Sequence, residues 1–254
     1  PDSIRFYNEL LQEAGYYTSN CSKTDYNLRG SNGRNPKEFW NYSGGDYAGT
    51  WKKREKGQPF FTVYNIGDSH ESRAFGDHKD ESVDPKKMIL APYHPDLPEM
   101  RNTYAKYASA ISKMDSLVGQ AIENLKRDNL YENTIVIYNS DHGGVLARSK
   151  RFLYSSGIHC PLIVRIPAKW NHLYPQGKKP GSTIDRIVSF IDMPKTWVSL
   201  TGAAMKKNFQ GRIFLGPDTE PPADYHFSWR ERADERFDNV RVVRDEQFSY
   251  HKNY

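Results

Sequence analysis

The chain has 254 residues, 37% hydrophobic and 13% aromatic, enough for one large α/β domain or a domain with a smaller appendage and too much for wholesale disorder. Its net charge of +5 suits an anionic substrate, but the basic residues are scattered, with Lys52-Lys53-Arg54 offset by acidic stretches elsewhere, which argues against a nucleic-acid surface. Two cysteines, Cys21 and Cys160, are too few for a disulfide framework or a structural zinc site, and no apolar run approaches membrane-spanning length.

The first predicted element is a helix capped by Asp2 or Ser3, with Ile4, Tyr7, Leu10, Leu11 and Ala14 at helical spacing and Gly15 as its stop. Tyr16 to Asn20 reads as a short strand, followed by the loop Cys21 to Asn27. Residues 28 to 58, rich in Gly, Asn, Tyr and charge, read as a long surface connection. Phe60-Phe-Thr-Val-Tyr-Asn-Ile66 reads as a second buried strand that runs into Gly67-Asp-Ser-His-Glu-Ser72. Pro98 to about Arg127 carries the stripe Tyr104, Tyr107, Ala108, Ile111, Met114, Leu117, Val118, Ile122 and Leu125, which predicts a long amphipathic helix.

Thr134-Ile-Val-Ile-Tyr-Asn-Ser-Asp-His-Gly-Gly144 reads as a buried strand of a parallel sheet, ending in an acid, an imidazole and two glycines. Pro161 to Pro167 is a short strand bracketed by prolines, and Asp192 to Thr201 a helix closed by Gly202. Beyond residue 205, Tyr225 to Trp229, Asn239 to Arg244 and Glu246 to Tyr250 read as antiparallel strands. The predicted organisation is therefore a domain over 1–223 and the start of a small antiparallel subdomain over 224–254. Helix, strand, helix, strand in that order fits a mostly parallel, doubly wound sheet.

In such sheets ligands sit beyond the carboxyl ends of the strands. Lys23 and Asp25 follow the first strand, His70 and Glu71 the second, Asp141 and His142 the third, and Lys150 lies a little further on. Lysines, an imidazole and a carboxylate beside a metal are what a tetrahedral oxyanion needs: neutralised oxygens, a polarised one and a proton for the leaving group. Each residue also has a plain reading. Loop lysines are usually solvated, Asp-His-Gly occurs in ordinary turns, and His78, His94, His172 and His251 read as exposed or locally hydrogen-bonded. Asn20-Cys-Ser22 and Asn41-Tyr-Ser43 match the glycosylation sequon, a pattern frequent by chance.

In combination these segments resemble the sulfatase family of the alkaline-phosphatase superfamily over nearly the whole chain. The resemblance is carried by Leu10-Leu-Gln-Glu-Ala-Gly-Tyr-Tyr-Thr18, Pro59-Phe-Phe with Ser69-His70, Ile135 to Gly143, Lys150 with Tyr154, Gly157 and Pro161-Leu-Ile-Val164, Val188 to Pro194 with Leu200-Thr-Gly202, and Val242 to Tyr250. It implies an αβα sandwich with a mostly parallel central sheet and a C-terminal antiparallel sheet. It implies that Lys23 and Lys150 bind sulfate oxygens, that His70 protonates the ester oxygen, and that Asp141 and His142 hold a divalent metal. Calcium is the metal expected, with Mg2+ or Mn2+ left open by the histidine.

Asp25 stands where the family has a histidine, and a carboxylate there can accept a proton or contact substrate. The resemblance further implies a formylglycine nucleophile, made from Cys or Ser in a Cys/Ser-x-Pro/Ala-x-Arg motif that this chain lacks. Pro1 is no initiator Met and Tyr254 falls inside a strand pattern, so the nucleophile and the remaining metal ligands are expected upstream and the chain alone is expected to be inactive. The predicted substrate is a sulfated carbohydrate, and the predicted location periplasmic or secreted. A phosphodiesterase or phosphonate monoester hydrolase of the same superfamily, or a catalytically dead sugar-binding homologue, are the competing readings.

Overall fold

A computed structural model of the chain describes residues 5–26, 36–45, 50–75, 82–207, 209–233 and 236–254. It falls into two units, Pro1–Asn65 with His172–Ala223, and Ile66–Asn171 with Asp224–Tyr254.

In the first unit, helix α1 (Tyr7–Glu13) starts where Glu9 folds back to accept the Phe6 N–H at 3.1 Å, and it ends at Gly15, whose φ of +90° suits a residue without Cβ. The expected caps Asp2 and Ser3, and Ile4, lie outside the described residues. The parallel sheet has the order β2-β1-β3, with β1 (Tyr17–Cys21) central between β2 (Tyr42–Ser43) and β3 (Phe60–Tyr64). β1 is buried throughout although Thr18, Ser19 and Asn20 are polar. Neighbours satisfy them: Ser19 Oγ lies 2.9 Å from Thr62 Oγ1, and Gln12 Nε2 donates to Thr18 Oγ1 at 2.7 Å. The core of this unit joins Leu10 and Leu11 of α1 to Val198 of α4 (Asp192–Leu200) and to Ala203. Each fully buried aliphatic side chain there contributes about 1.5–3 kcal/mol.

Two expectations are corrected in this unit. Residues 28 to 58 are not simply a surface connection: their described part supplies β2 and the buried Phe39, Trp40 and Trp51. Trp51 packs its ring 5.4 Å from Phe60 and 6.1 Å from Tyr64. β3, expected to be buried, is half-buried along its length.

In the second unit, helix α2 (Pro98–Arg127) has Pro98 at its first position, where a missing N–H costs nothing. Met114 and Leu125 of the expected stripe are buried, together with Ala105, Ser109 and Ala110, whereas Ile111 is exposed. β4 (Val136–Asn139) forms where the sequence places it, but among the described residues it pairs antiparallel with β5 (Leu162–Arg165), not within a parallel sheet. The short helix α3 (Ser155–Ile158) lies between them in sequence. β6 (His226–Ala233), β7 (Arg236–Arg244) and β8 (Ser249–Asn253) form an antiparallel sheet in that order. The third strand begins later than expected, because Asp245 Oδ1 accepts the Gln247 N–H at 2.8 Å and holds Glu246 in a turn. Among the described residues no helix is long and apolar enough to cross a membrane.

Candidate active site

Beyond β1 the chain turns at Ser22, which has a left-handed φ of +74°. Asn20, 1% exposed, organises the loop that follows. Its Nδ2 donates to the Lys23 carbonyl at 2.6 Å and to Tyr26 Oη at 3.3 Å, and its Oδ1 accepts from Asn65 Nδ2 at 2.7 Å. Trp40 Nε1 donates to the same Tyr26 oxygen at 2.6 Å. Lys23 and Asp25 are exposed on this loop and line an open cleft of about 180 Å³ with Tyr7, Tyr26, Trp40 and Asn65. Burial raises the Tyr7 and Tyr26 hydroxyl pKa values, so both are neutral hydrogen-bonding groups at neutral pH. An amide buried and engaged in this way is no glycosylation acceptor, which removes the sequon reading at Asn20.

In the second unit, His70 caps the 3-10 turn Glu71–Arg73. Its Nδ1 accepts the Ser72 N–H at 3.3 Å. A backbone N–H can only donate, so Nδ1 holds the lone pair and the neutral ring carries its proton on Nε2. The next residue, Glu71, is clamped by two cations. Arg151 forks onto it with Nη1 to Oε2 at 2.9 Å and Nη2 to Oε1 at 3.1 Å, and Lys150 Nζ donates to Oε1 at 3.0 Å.

The Arg151 hydrogen bonds, and then that of Lys150, hold the Glu71 carboxyl down at about 2, from an ordinary 4.5. A depressed carboxylate pKa stabilises the fold above the unfolded value and stops doing so as pH falls through the folded one. The Glu71 contribution should therefore be intact above pH 4.5 and vanish on the way to about pH 2. Acid unfolding of Glu71→Gln, compared with the unmodified protein by circular dichroism, should show a shallower loss across that window; identical curves would remove Glu71 from the acid response.

Lys150 is also tied to the loop after β4. Its N–H donates to the Gly144 carbonyl at 2.9 Å, while Gly143 N–H and Gly144 N–H donate to the Gly157 and Ser156 carbonyls at 2.8 and 3.0 Å. A Cβ at Gly143 would stand 2.0 Å from the Ser156 oxygen, and one at Gly157 2.1 Å from the Phe152 oxygen. Only glycine permits that approach. Within this unit the fold thus links the neighbour of His70, the Lys150 side chain and the Asp141–Gly144 loop into one network. Lys23 and Asp25 belong to the other unit.

Asp141 and His142 follow β4 directly. His142 Nδ1 lies 2.8 Å from the Gly143 carbonyl, which can only accept, so Nδ1 carries the proton. In the neutral ring Nε2 then keeps its lone pair, 3.6 Å from Asp141 Oδ1. A nitrogen and an oxygen donor side by side fit two positions of a divalent-cation shell. Among the described residues no three His, Cys, Asp or Glu side chains gather as a complete one.

In the sequence alone Glu71 stands out only as a strand-end acid, and the parts taken by Arg151, Asn65 and the Asn20 amide do not show. Opposite charges directly beside the two candidates, Glu71 after His70 and Arg151 after Lys150, are the signal that was there to use.

The sequence pattern of the sulfatase family matches residues 8–203. The chain belongs to the sulfatase family. An ulvan-active sulfatase of Formosa agariphila is 32% identical over 290 aligned positions, which take in 100% of this chain and 46% of that protein. An N-acetylglucosamine-6-O-sulfatase of Bacteroides thetaiotaomicron is 29% identical over 134 positions, 50% of this chain and 22% of that one. The chain thus spans less than half the length of these curated sulfatases.

Among solved structures, a protein in complex with its substrate D-glucosamine-2-N,6-O-disulfate superposes over 99% of this chain and 75% of its own, with TM-score 0.66 at 14% identity. A phosphonate monoester hydrolase of Agrobacterium radiobacter covers 61% of this chain and 34% of its own, with TM-score 0.51 at 21% identity. The fold is the alkaline-phosphatase-like α/β sandwich of the sulfatases, with a parallel sheet and a C-terminal antiparallel sheet.

Proposed function

We propose that this chain is part of a sulfuric ester hydrolase that removes sulfate from a sulfated carbohydrate. The observation that carries the reading is the network around Glu71, which fixes Lys150 beside the residue that follows His70 on a frame matched to the sulfatases. An ammonium has three N–H donors, and one on Glu71 leaves two for sulfate oxygens. His70 presents an Nε2 proton to a leaving oxygen. Lys23 is proposed to bind sulfate oxygens, and Asp25 to accept a proton or contact substrate. Asp141 and His142 would be two ligands of a divalent metal, calcium first among the choices; when bound, it would polarise a sulfate oxygen.

The nucleophile is proposed to be a formylglycine, and neither cysteine of this chain stands in its place. Cys21 is buried in β1, and burial raises the Cys160 thiol pKa, which disfavours its thiolate. Sulfated sugars are favoured as substrate because the names of two relatives and one neighbouring structure refer to them.

The test is release of free sulfate, read by ion chromatography, from sulfated polysaccharide and from an aryl sulfate, beside an aryl phosphodiester with the same leaving group. Sulfate release well above phosphodiester cleavage is expected of the protein that contains this chain. Faster phosphodiester cleavage would move the assignment to a phosphodiesterase or phosphonate monoester hydrolase. Binding of the polysaccharide without turnover of any ester would mark a sugar-binding homologue.

A further inference from the structure

Arg148 stands two residues before Lys150, and its guanidinium lies over two tyrosine rings. The centroid of Tyr93 is 4.7 Å away and that of Tyr154 4.2 Å. Cation–π attraction of this kind holds the group without taking the hydrogen bonds that its N–H donors can make to oxygen. Among the described residues no carboxylate, carbonyl or hydroxyl takes them. The neighbouring arginines differ: Arg151 forks onto Glu71, Arg230 pairs with Asp238 at 3.1 Å while lying over Phe152, and Arg244 donates to Ser155 Oγ at 2.8 Å.

The surroundings hold Arg148 in this posture. Its backbone has a φ of +64°, an uncommon conformation for a residue with a side chain, and Ser156 Oγ donates to its carbonyl at 2.7 Å. On the Tyr93 side a relay fixes the adjacent segment. Ala91 N–H donates to Tyr104 Oη at 3.0 Å, that hydroxyl donates to His94 Nδ1 at 2.7 Å, and His94 Nε2 donates to the Ala147 carbonyl at 3.0 Å. Tyr154 in turn stacks on Phe152 at 6.2 Å and 17°. Tyr93 and Tyr154 remain 47% and 42% exposed, so a ligand reaching the guanidinium rim meets aromatic surface around it.

We propose that Arg148 anchors a second anion subsite, which takes a carboxylate or sulfate group on the substrate saccharide other than the sulfate being cleaved. This rests on the reading of Lys150 as the sulfate-binding lysine. A fixed planar fork matches a carboxylate or sulfate edge with two parallel hydrogen bonds, and its order is established before binding. Among the described residues Lys150 and Arg151 share the one carboxylate of Glu71, and Arg148 adds a third cation to the same loop, a balance that favours anions. The tyrosine edges favour an anion delivered on a sugar ring over a free ion.

Calorimetric titration of the protein that contains this chain tests the subsite with three probes. These are N-acetylglucosamine 6-sulfate, glucosamine 2-N,6-O-disulfate, and a heparin-type disaccharide with one sulfate and one uronate carboxylate. At least one of the doubly charged probes should bind about tenfold or more tightly than the singly charged one. Arg148→Gln should reduce that advantage to about twofold or less, and Arg148→Lys should restore only part of it, because an ammonium is a point charge without a fork. Arg148→Lys keeps the charge, so the comparison survives if the glutamine variant does not fold. The probe that loses its advantage identifies the carboxylate or the second sulfate as the group bound. No advantage in the unmodified protein, or an undiminished one in both variants, overturns the subsite. Normal sulfate release by Lys150→Ala alongside an Arg148-dependent advantage would instead sink the catalytic assignment and leave the subsite standing.

Discussion

Replacing Lys150 by alanine should lower kcat/KM for sulfate release by about two to three orders of magnitude, the usual loss when a preorganised donor to the transition-state charge is removed. The competing account is that Lys150 only braces Glu71. The geometry separates the two. Arg151 already holds both Glu71 oxygens, at 2.9 and 3.1 Å, so Glu71 keeps its fork when the single Lys150 bond at 3.0 Å is lost. A bracing role would therefore cost little, since exposed or half-exposed ion pairs contribute about 0–1 kcal/mol. The expected result is a collapse in rate with a melting temperature close to that of the unmodified protein. Lys150→Arg should recover part of the rate through its retained charge. A near-normal rate in Lys150→Ala, or a loss of rate that follows a loss of stability, would take Lys150 out of the site.

How far the sequence reaches depends on how local the signal is. α2 is legible from Pro98 to Arg127 because its start is a proline at the first turn and its apolar stripe repeats every three or four residues. β4 is legible as a strand because Val136, Ile137 and Tyr138 are followed, after Asn139, by Ser140-Asp-His-Gly143. Its partner is not legible: pairing with β5 is settled by contacts some 25 residues away along the chain, roughly the distance at which periodicity says nothing.

The same limit explains residues 28 to 58. Trp40 and Trp51 follow no period, and they are buried because they meet Tyr7, Phe60 and Tyr64. At the site, His70, Asp141, His142 and Lys150 are visible as strand-end and loop residues. The role of Glu71 is not, because it depends on Lys150 and Arg151 arriving from 79 and 80 residues further along. What a single sequence shows best is where side chains leave a strand; what they leave toward is a property of the fold.

His70→Ala should slow release of sulfate from a sugar alcohol by about 10²–10⁴-fold while affecting an aryl sulfate far less. The Ser72 N–H points at Nδ1, so Nε2 is the nitrogen through which the ring can donate to a leaving oxygen. An alkoxide leaves only with a proton, so a sugar ester needs the donor. A phenolate with electron-withdrawing groups leaves without one. A residue that supplies only that proton must therefore show its loss in proportion to the basicity of the leaving group.

The alternative is that His70 serves as the cap of the Glu71–Arg73 turn and thereby sets the direction of Glu71 toward Lys150 and Arg151. Removing a cap of that kind disturbs Lys150 for every ester alike. Measuring kcat/KM for His70→Ala over a series of aryl sulfates and one sugar sulfate separates the two. A loss that steepens toward the sugar ester assigns the proton to His70. Equal losses across the series would make it a positioning residue acting through Glu71, and no loss on any ester would exclude it from the reaction.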